Sequence, residues 1–174
     1  MNKPRILWVE DSAKFELANL LGPIYASNKY QLTLAEDATT AARYLLSVQF
    51  DVVIMDVRIP PGRDKHWSQK YENAGADKAA AQLGLELLSW LFFKRANGHK
   101  NGNGNGRPQA PEWIRPEQIA VFSVESESEI GEILRRLGVC TFMEKRPGLS
   151  DTILLDLIRK VLDSGNANNH HLKN

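Results

Sequence analysis

The amino-acid sequence predicts an α/β protein: a doubly wound, five-stranded parallel sheet with helices on both faces. Strand-like runs and helical patterns alternate five times along the chain, the order produced by a parallel sheet with covering helices. The run Val52–Met55 is apolar throughout and rich in β-branched residues, which marks a strand buried on both faces. Right-handed crossovers between such strands place helices on the two sides of the sheet.

The elements follow in order. "RILWV" (Arg5–Val9) is the first strand, and Ser12–Leu21 the first helix, with Phe15, Leu17, Ala18 and Leu21 near one face. "YQLTLA" (Tyr30–Ala35) is the second strand, and Ala38–Ser47 a helix carrying Ala41, Ala42, Leu45 and Leu46. The third strand, Val52–Met55, ends on Asp56. A helix over Asp77–Ala96 carries Ala80, Leu83, Leu87, Leu88 and Leu91 at helical spacing. "IAVFSV" (Ile119–Val124) is the fourth strand. Ser126 and Glu129 then form a capping-box pattern before Ile130, Ile133, Leu134 and Leu137, and Gly138 stops that helix. "CTFMEK" (Cys140–Lys145) is the fifth strand. The last helix starts near Ser150, shows Ile153, Leu154, Leu157, Ile158 and Leu162, and stops near Gly165.

Two segments depart from this pattern. Pro61–Gly75 is polar, with Trp67 and Tyr71 as its only large aromatics, and Asn97–Trp113 is an Asn-Gly tract that reads as a flexible loop. The tail from Asn166 is polar and is expected to be disordered.

At 174 residues the chain fits one domain with room for insertions. A net charge of +1 gives no global basic field for nucleic acid. A single cysteine, Cys140, rules out an intrachain disulfide and suits a reducing compartment. The apolar run Ile6–Val9 meets Glu10 and Asp11 too soon for a signal peptide, and the other apolar runs are far short of a membrane span. A soluble cytoplasmic protein is expected.

In an open parallel sheet, chemistry collects beyond the carboxyl ends of the strands. The first strand delivers Glu10 and Asp11 to that edge, the third Asp56, the fourth Ser123 and the fifth Lys145. Singly these are an acid pair, a turn hydroxyl and a solvated lysine. Together they suggest a site. Close carboxylates repel and need a cation, and a hard divalent ion such as Mg²⁺ suits oxygen ligands. An aspartate is ionised at neutral pH and attacks phosphorus without a general base. The metal and Lys145 would neutralise phosphoryl charge, and Ser123 would hydrogen-bond a phosphoryl oxygen.

With "ILWVED", "DVVIMDVRIP", "LGLELLSWL", "IAVFSVES" and "FMEKRP", the chain resembles the receiver domain of bacterial two-component response regulators over about Arg5–Gly165, apart from the two polar segments. The resemblance implies a stand-alone receiver of flavodoxin-like fold over 1–165, insertions at about 61–76 and 97–116, and a tail at 166–174. It implies Asp56 as phosphoacceptor, Asp11 as direct Mg²⁺ ligand beside Asp56, the backbone carbonyl of Arg58 as a further ligand, and Glu10 assisting through water. Ser123 and Phe142 take the switch positions, and Lys145, followed by Pro147, that of the active-site lysine. A sensor histidine kinase or phosphotransfer protein is the implied donor and an effector protein the implied target, with no direct nucleic-acid or membrane binding. Catalysis would be confined to the chain's own aspartyl phosphorylation and dephosphorylation.

The sequence departs from the family pattern in detail. Phe142 stands where Tyr or His is usual, and the bulky Val124 follows Ser123. Arg58 and Glu125, two residues beyond Asp56 and Ser123, are expected to form an exposed pair across the site mouth. Two other readings compete: a pseudo-receiver that works unphosphorylated, and a haloacid-dehalogenase-type phosphatase. The second needs an aspartate where Arg58 stands. The segment Pro61–Gly75 reads as a lid over Asp56, a docking surface or a decoration, with Arg63, Lys65 and Lys70 able to favour a nearby phosphoryl group.

Overall fold

Strands β1 (Arg5–Val9), β2 (Gln31–Ala35), β3 (Val52–Met55), β4 (Ile119–Ser123) and β5 (Thr141–Glu144) form one parallel sheet in the order β2-β1-β3-β4-β5. The computed structural model describes residues 2–77, 81–96 and 109–170. Register follows the hydrophobic pattern, because a one-residue slip would turn each strand's side chains over. Val9 pairs with Ala35 on one side and Met55 on the other, Met55 with Val121, and Ser123 with Glu144. The carboxyl ends of β1 and β3 are therefore level, and the residues that follow them emerge side by side.

Alternate strand residues fill two cores. Leu7, Val9, Val53, Met55 and Val121 face α2 (Ala38–Ser47), α3 (Lys65–Asn73), α4 (Leu83–Ala96) and α5 (Glu127–Leu137). Ile6, Trp8, Val52, Ile54, Ala120 and Phe122 face α1 (Leu21–Ser27) and α6 (Ile153–His170). Both layers are present, as the sequence predicts. Among the described residues, no helix is long and apolar enough to cross a membrane.

Several local expectations are corrected. The first helix begins at Leu21, after turns and a short 3₁₀ segment at Ala18–Leu20. One helix running from Ser12 to the end of α1 at Ser27 would place Pro23 in its interior, where the ring removes a hydrogen bond and strikes the preceding turn. In α1 Pro23 is the third residue, where no intrahelical donor is missed. Phe15, expected on the core face, is 75% exposed. Helix α4 starts at Leu83 rather than Asp77, because Gln82 adopts a left-handed backbone (φ 41°) that a helix cannot contain. Ala80 lies outside the described residues.

The polar segment Pro61–Gly75 contains a helix. Asp64 caps α3, its carboxylate accepting from the His66 N–H at 2.7 Å, and Trp67 is buried in the first core. The segment is tied to the start of α2: Thr39 Oγ1 donates to the Pro61 carbonyl at 2.7 Å and accepts from the Asp64 N–H at 2.9 Å. The described end of the Asn97–Trp113 segment also packs, since Trp113 lies against Phe50 and its indole N–H donates to the Leu45 carbonyl. Residues 97–108 lie outside the described set. Helix α6 continues through Gly165, which keeps a negative φ, as far as His170, so the tail expected to be disordered from residue 166 starts as helix.

Candidate functional site

The parallel ladder carries two acids to neighbouring positions. The Asp56 N–H donates to the Val9 carbonyl at 3.0 Å, and the Glu10 N–H to the Ala35 carbonyl at 2.9 Å. Asp56 and Glu10 are buried, and Asp11 is exposed at the rim. Carboxylate oxygens of Glu10, Asp11 and Asp56 all lie within 4.8 Å of one another. Such a group repels itself and can hold a hard cation.

Lys145 supplies the positive charge. Its backbone N–H donates to the Ser123 carbonyl at 2.7 Å, which fixes it at the end of β5. Its Nζ donates to Glu10 Oε2 at 2.5 Å and Asp56 Oδ2 at 2.7 Å, above the Phe122 ring. Burial alone lowers the pKa of the Lys145 ammonium, but the charges and hydrogen bonds of Asp56 and Glu10 together outweigh it, and the net direction is up.

Glu10 is the strained member. Burial first, then repulsion from Asp56, push its carboxyl up from 4.5 to about 7 against the pull of Lys145 and the Ser12 N–H. A folded-state acid raised in this way binds its proton more tightly than the unfolded chain does. Its stability contribution is complete below the unfolded value of 4.5 and is lost as pH rises through about 7. In metal-free buffer we expect folding stability to fall over that window by on the order of 3 kcal/mol, and Glu10→Gln to flatten the profile. Urea titrations across the pH series measure this. A wild-type profile that rises or stays level would contradict it.

Ser123 is fully buried, with Oγ 2.6 Å from Asp56 Oδ1 and 3.3 Å from the Val57 N–H. Arg58 follows Asp56 by two residues, with its backbone N–H 3.4 Å from Asp56 Oδ1. The expected Arg58–Glu125 pair is present, through Arg58 Nε and Glu125 Oε1. It is not an exposed pair, however: Arg58 is half-exposed, while Glu125 is 1% exposed. Val124 is exposed beside it, and Phe142 is half-buried on β5. Of the three cations in the polar segment, Lys70 pairs with Glu86 instead of the acid cluster, and Arg63 and Lys65 are exposed.

One position that supports the site has no marked signature in the sequence. Gly84, in the first turn of α4, donates its N–H to the Val57 carbonyl at 3.0 Å, and a Cβ there would stand 1.9 Å from the Asp56 carbonyl oxygen. The helix is thus seated directly on the Asp56 backbone. What signal there is lies in a glycine within the leucine-rich "LGLELL", where a helix former would cost less.

No protein-family model and no curated protein matches the sequence. Solved structures do. The fold is similar to a CheY-like response regulator receiver domain protein from Methanospirillum hungatei JF-1, with TM-score 0.59 and 16% identity over 96% of this chain and 99% of that one. It is similar to the signal receiver domain of a putative Luxo repressor protein from Vibrio parahaemolyticus, with TM-score 0.59 and 16% identity over 99% of each chain. It is also similar to the BeF3-activated N-terminal receiver domain of Klebsiella pneumoniae RstA, with TM-score 0.54 and 16% identity over 91% of this chain and 97% of that one. At such identities the likeness establishes architecture, and the strand order 2-1-3-4-5 agrees with it. This chain has the flavodoxin-like fold of response regulator receiver domains.

Proposed function

We propose that the chain is a phosphoacceptor receiver of a cytoplasmic two-component phosphorelay, in which Asp56 takes a phosphoryl group and the change is read by a partner protein. The observation that carries this is Asp56 held between the Lys145 ammonium and the Ser123 hydroxyl, next to Glu10 and Asp11. One ammonium, paired with Glu10 and Asp56, stands against three carboxylates, so the site suits a further cation. Mg²⁺ would be held by Asp11 and Asp56, with the Arg58 carbonyl and, through water, Glu10. When bound, Mg²⁺ would offset negative charge on the carboxylates and on an incoming phosphoryl group.

The protein's own groups carry the rest. An Asp56 carboxylate oxygen forms a bond to phosphorus as the bond to the donor breaks, and the donor leaves with the electron pair. A sensor histidine kinase or a phosphotransfer protein is the donor class. Lys145 balances phosphoryl charge, and Ser123 turns its hydroxyl to a phosphoryl oxygen. Ser123, the last residue of β4, and Phe142, within the adjacent β5, would pass occupancy to the α5–β5–α6 face. The chain acts on its own aspartate and on no other substrate.

The test is binding of beryllofluoride, an aspartyl-phosphate mimic, followed by backbone NMR. Binding should require Mg²⁺, and shifts should extend from the acid cluster to Ser123–Leu137 and Cys140–Pro147. A protein that gives no response at any Mg²⁺ concentration is a receiver-fold interaction module used without phosphorylation.

A further inference from the structure

We infer that Glu125 is a positioning residue that competes with the phosphoacceptor site for the Ser123 hydroxyl proton and so opposes the switched state. This rests on the phosphoacceptor reading above. Ser123 Oγ stands 2.5 Å from Glu125 Oε2 as well as 2.6 Å from Asp56 Oδ1, and it accepts from the Val57 N–H. A hydroxyl has one proton to donate, so it serves one of these two carboxylates at a time.

The competitor is fixed in place. An acid this deeply buried is almost always paired, and Glu125 is paired on both oxygens: Arg58 engages Oε1 and Ser123 faces Oε2. Arg58 and Glu125 each follow a site residue by two positions. Three side-chain contacts and the Arg58 backbone N–H link Asp56, Arg58, Glu125 and Ser123 in a ring that ties the end of β3 to the end of β4. A phosphoryl group on Asp56 presents new oxygens to Ser123, and the hydroxyl reaches them only by giving up Glu125. A charged acceptor holds a hydroxyl more strongly than a neutral one. The strength of this bond therefore sets how far Asp56 occupancy moves Ser123.

The experiment is beryllofluoride affinity at fixed Mg²⁺ for the full chain, in wild type, Glu125→Gln, Glu125→Asp, Ser123→Ala and Ser123→Ala combined with Glu125→Gln. Gln keeps the shape but weakens the acceptor. Asp keeps the charge and withdraws it by one methylene, and it stands in if Gln fails to fold. Glu125→Gln should bind about tenfold more tightly than wild type, and Glu125→Asp about threefold. Against Ser123→Ala, Glu125→Gln should change affinity by less than about twofold. An equal gain with and without the hydroxyl would mean that Glu125 acts as a bare charge repelling the anion, and overturns the inference. Unchanged affinity in both Glu125 variants, with normal wild-type binding, overturns it while leaving the phosphoacceptor reading intact. If neither wild type nor any variant binds, the phosphoacceptor reading falls and this inference with it.

Discussion

Asp56→Asn should take up no phosphoryl group from acetyl phosphate and Mg²⁺, while the wild-type chain takes up one. The wild-type carboxylate needs no base to become a nucleophile, whereas a neutral amide has no comparable oxygen. The other two acids are poor substitutes. Glu10 has one oxygen on Lys145 and the other facing the Ser12 N–H, and burial holds its proton to about pH 7. Asp11 sits at the exposed rim and lacks the hydrogen bonds from the Ser123 hydroxyl and the Lys145 ammonium that flank Asp56. Asparagine matches aspartate in shape; its one oxygen can accept from Lys145 while its amide N–H donates to the Ser123 hydroxyl oxygen, so the variant should fold. Loss of labelling would then report chemistry. Intact-mass spectrometry of both proteins after identical incubation measures it, and undiminished labelling of the variant would falsify the assignment.

The rim was legible in the sequence for a definite physical reason. In a sheet buried on both faces, each strand is a short apolar run, and the first polar residues after it must emerge at the carboxyl edge. Glu10, Asp11, Asp56, Ser123 and Lys145 stand at the carboxyl ends of β1, β3, β4 and β5, so reading the ends of four runs was enough to assemble them. Features set by backbone conformation were less legible. Phe15 and Leu17 mimic a helix face, yet the chain there forms turns, and Pro23 keeps that stretch from joining α1 as one helix. Trp67 in a polar segment marked apolar anchoring, but helix α3 depends on the Asp64 cap and the seat on Thr39, which no periodicity reveals. Glu125 was recognisable as a partner for Arg58 by its spacing. Its burial was not, because the path of the chain after β4 decides whether an acid two residues on points outward or back beneath the strand end.

Gly84→Ala should cost the protein about 3 kcal/mol or more of folding stability and lower labelling at Asp56 as well. The position lies in the first turn of α4, and helix propensity alone favours alanine over glycine by about 1 kcal/mol. Contact reverses the sign. An added Cβ would stand 1.9 Å from the Asp56 carbonyl oxygen and 2.9 Å from the Asp56 carbonyl carbon and Val57 Cα. All three are backbone atoms, so no side chain can rotate away. Either α4 lifts, losing the Gly84 N–H to Val57 carbonyl bond and the packing of Leu87, Leu88 and Leu91, or the end of β3 moves and carries the Asp56 carboxylate off Ser123 and Lys145. Gly165 is the internal control. It also lies within a helix, α6, but a Cβ there meets nothing within 4 Å. Gly165→Ala should be neutral or stabilising by up to about 1 kcal/mol. Urea denaturation of the two variants, with acetyl phosphate labelling alongside, separates propensity from contact. Equal stability changes at the two glycines would show that α4 does not rest on the Asp56 backbone.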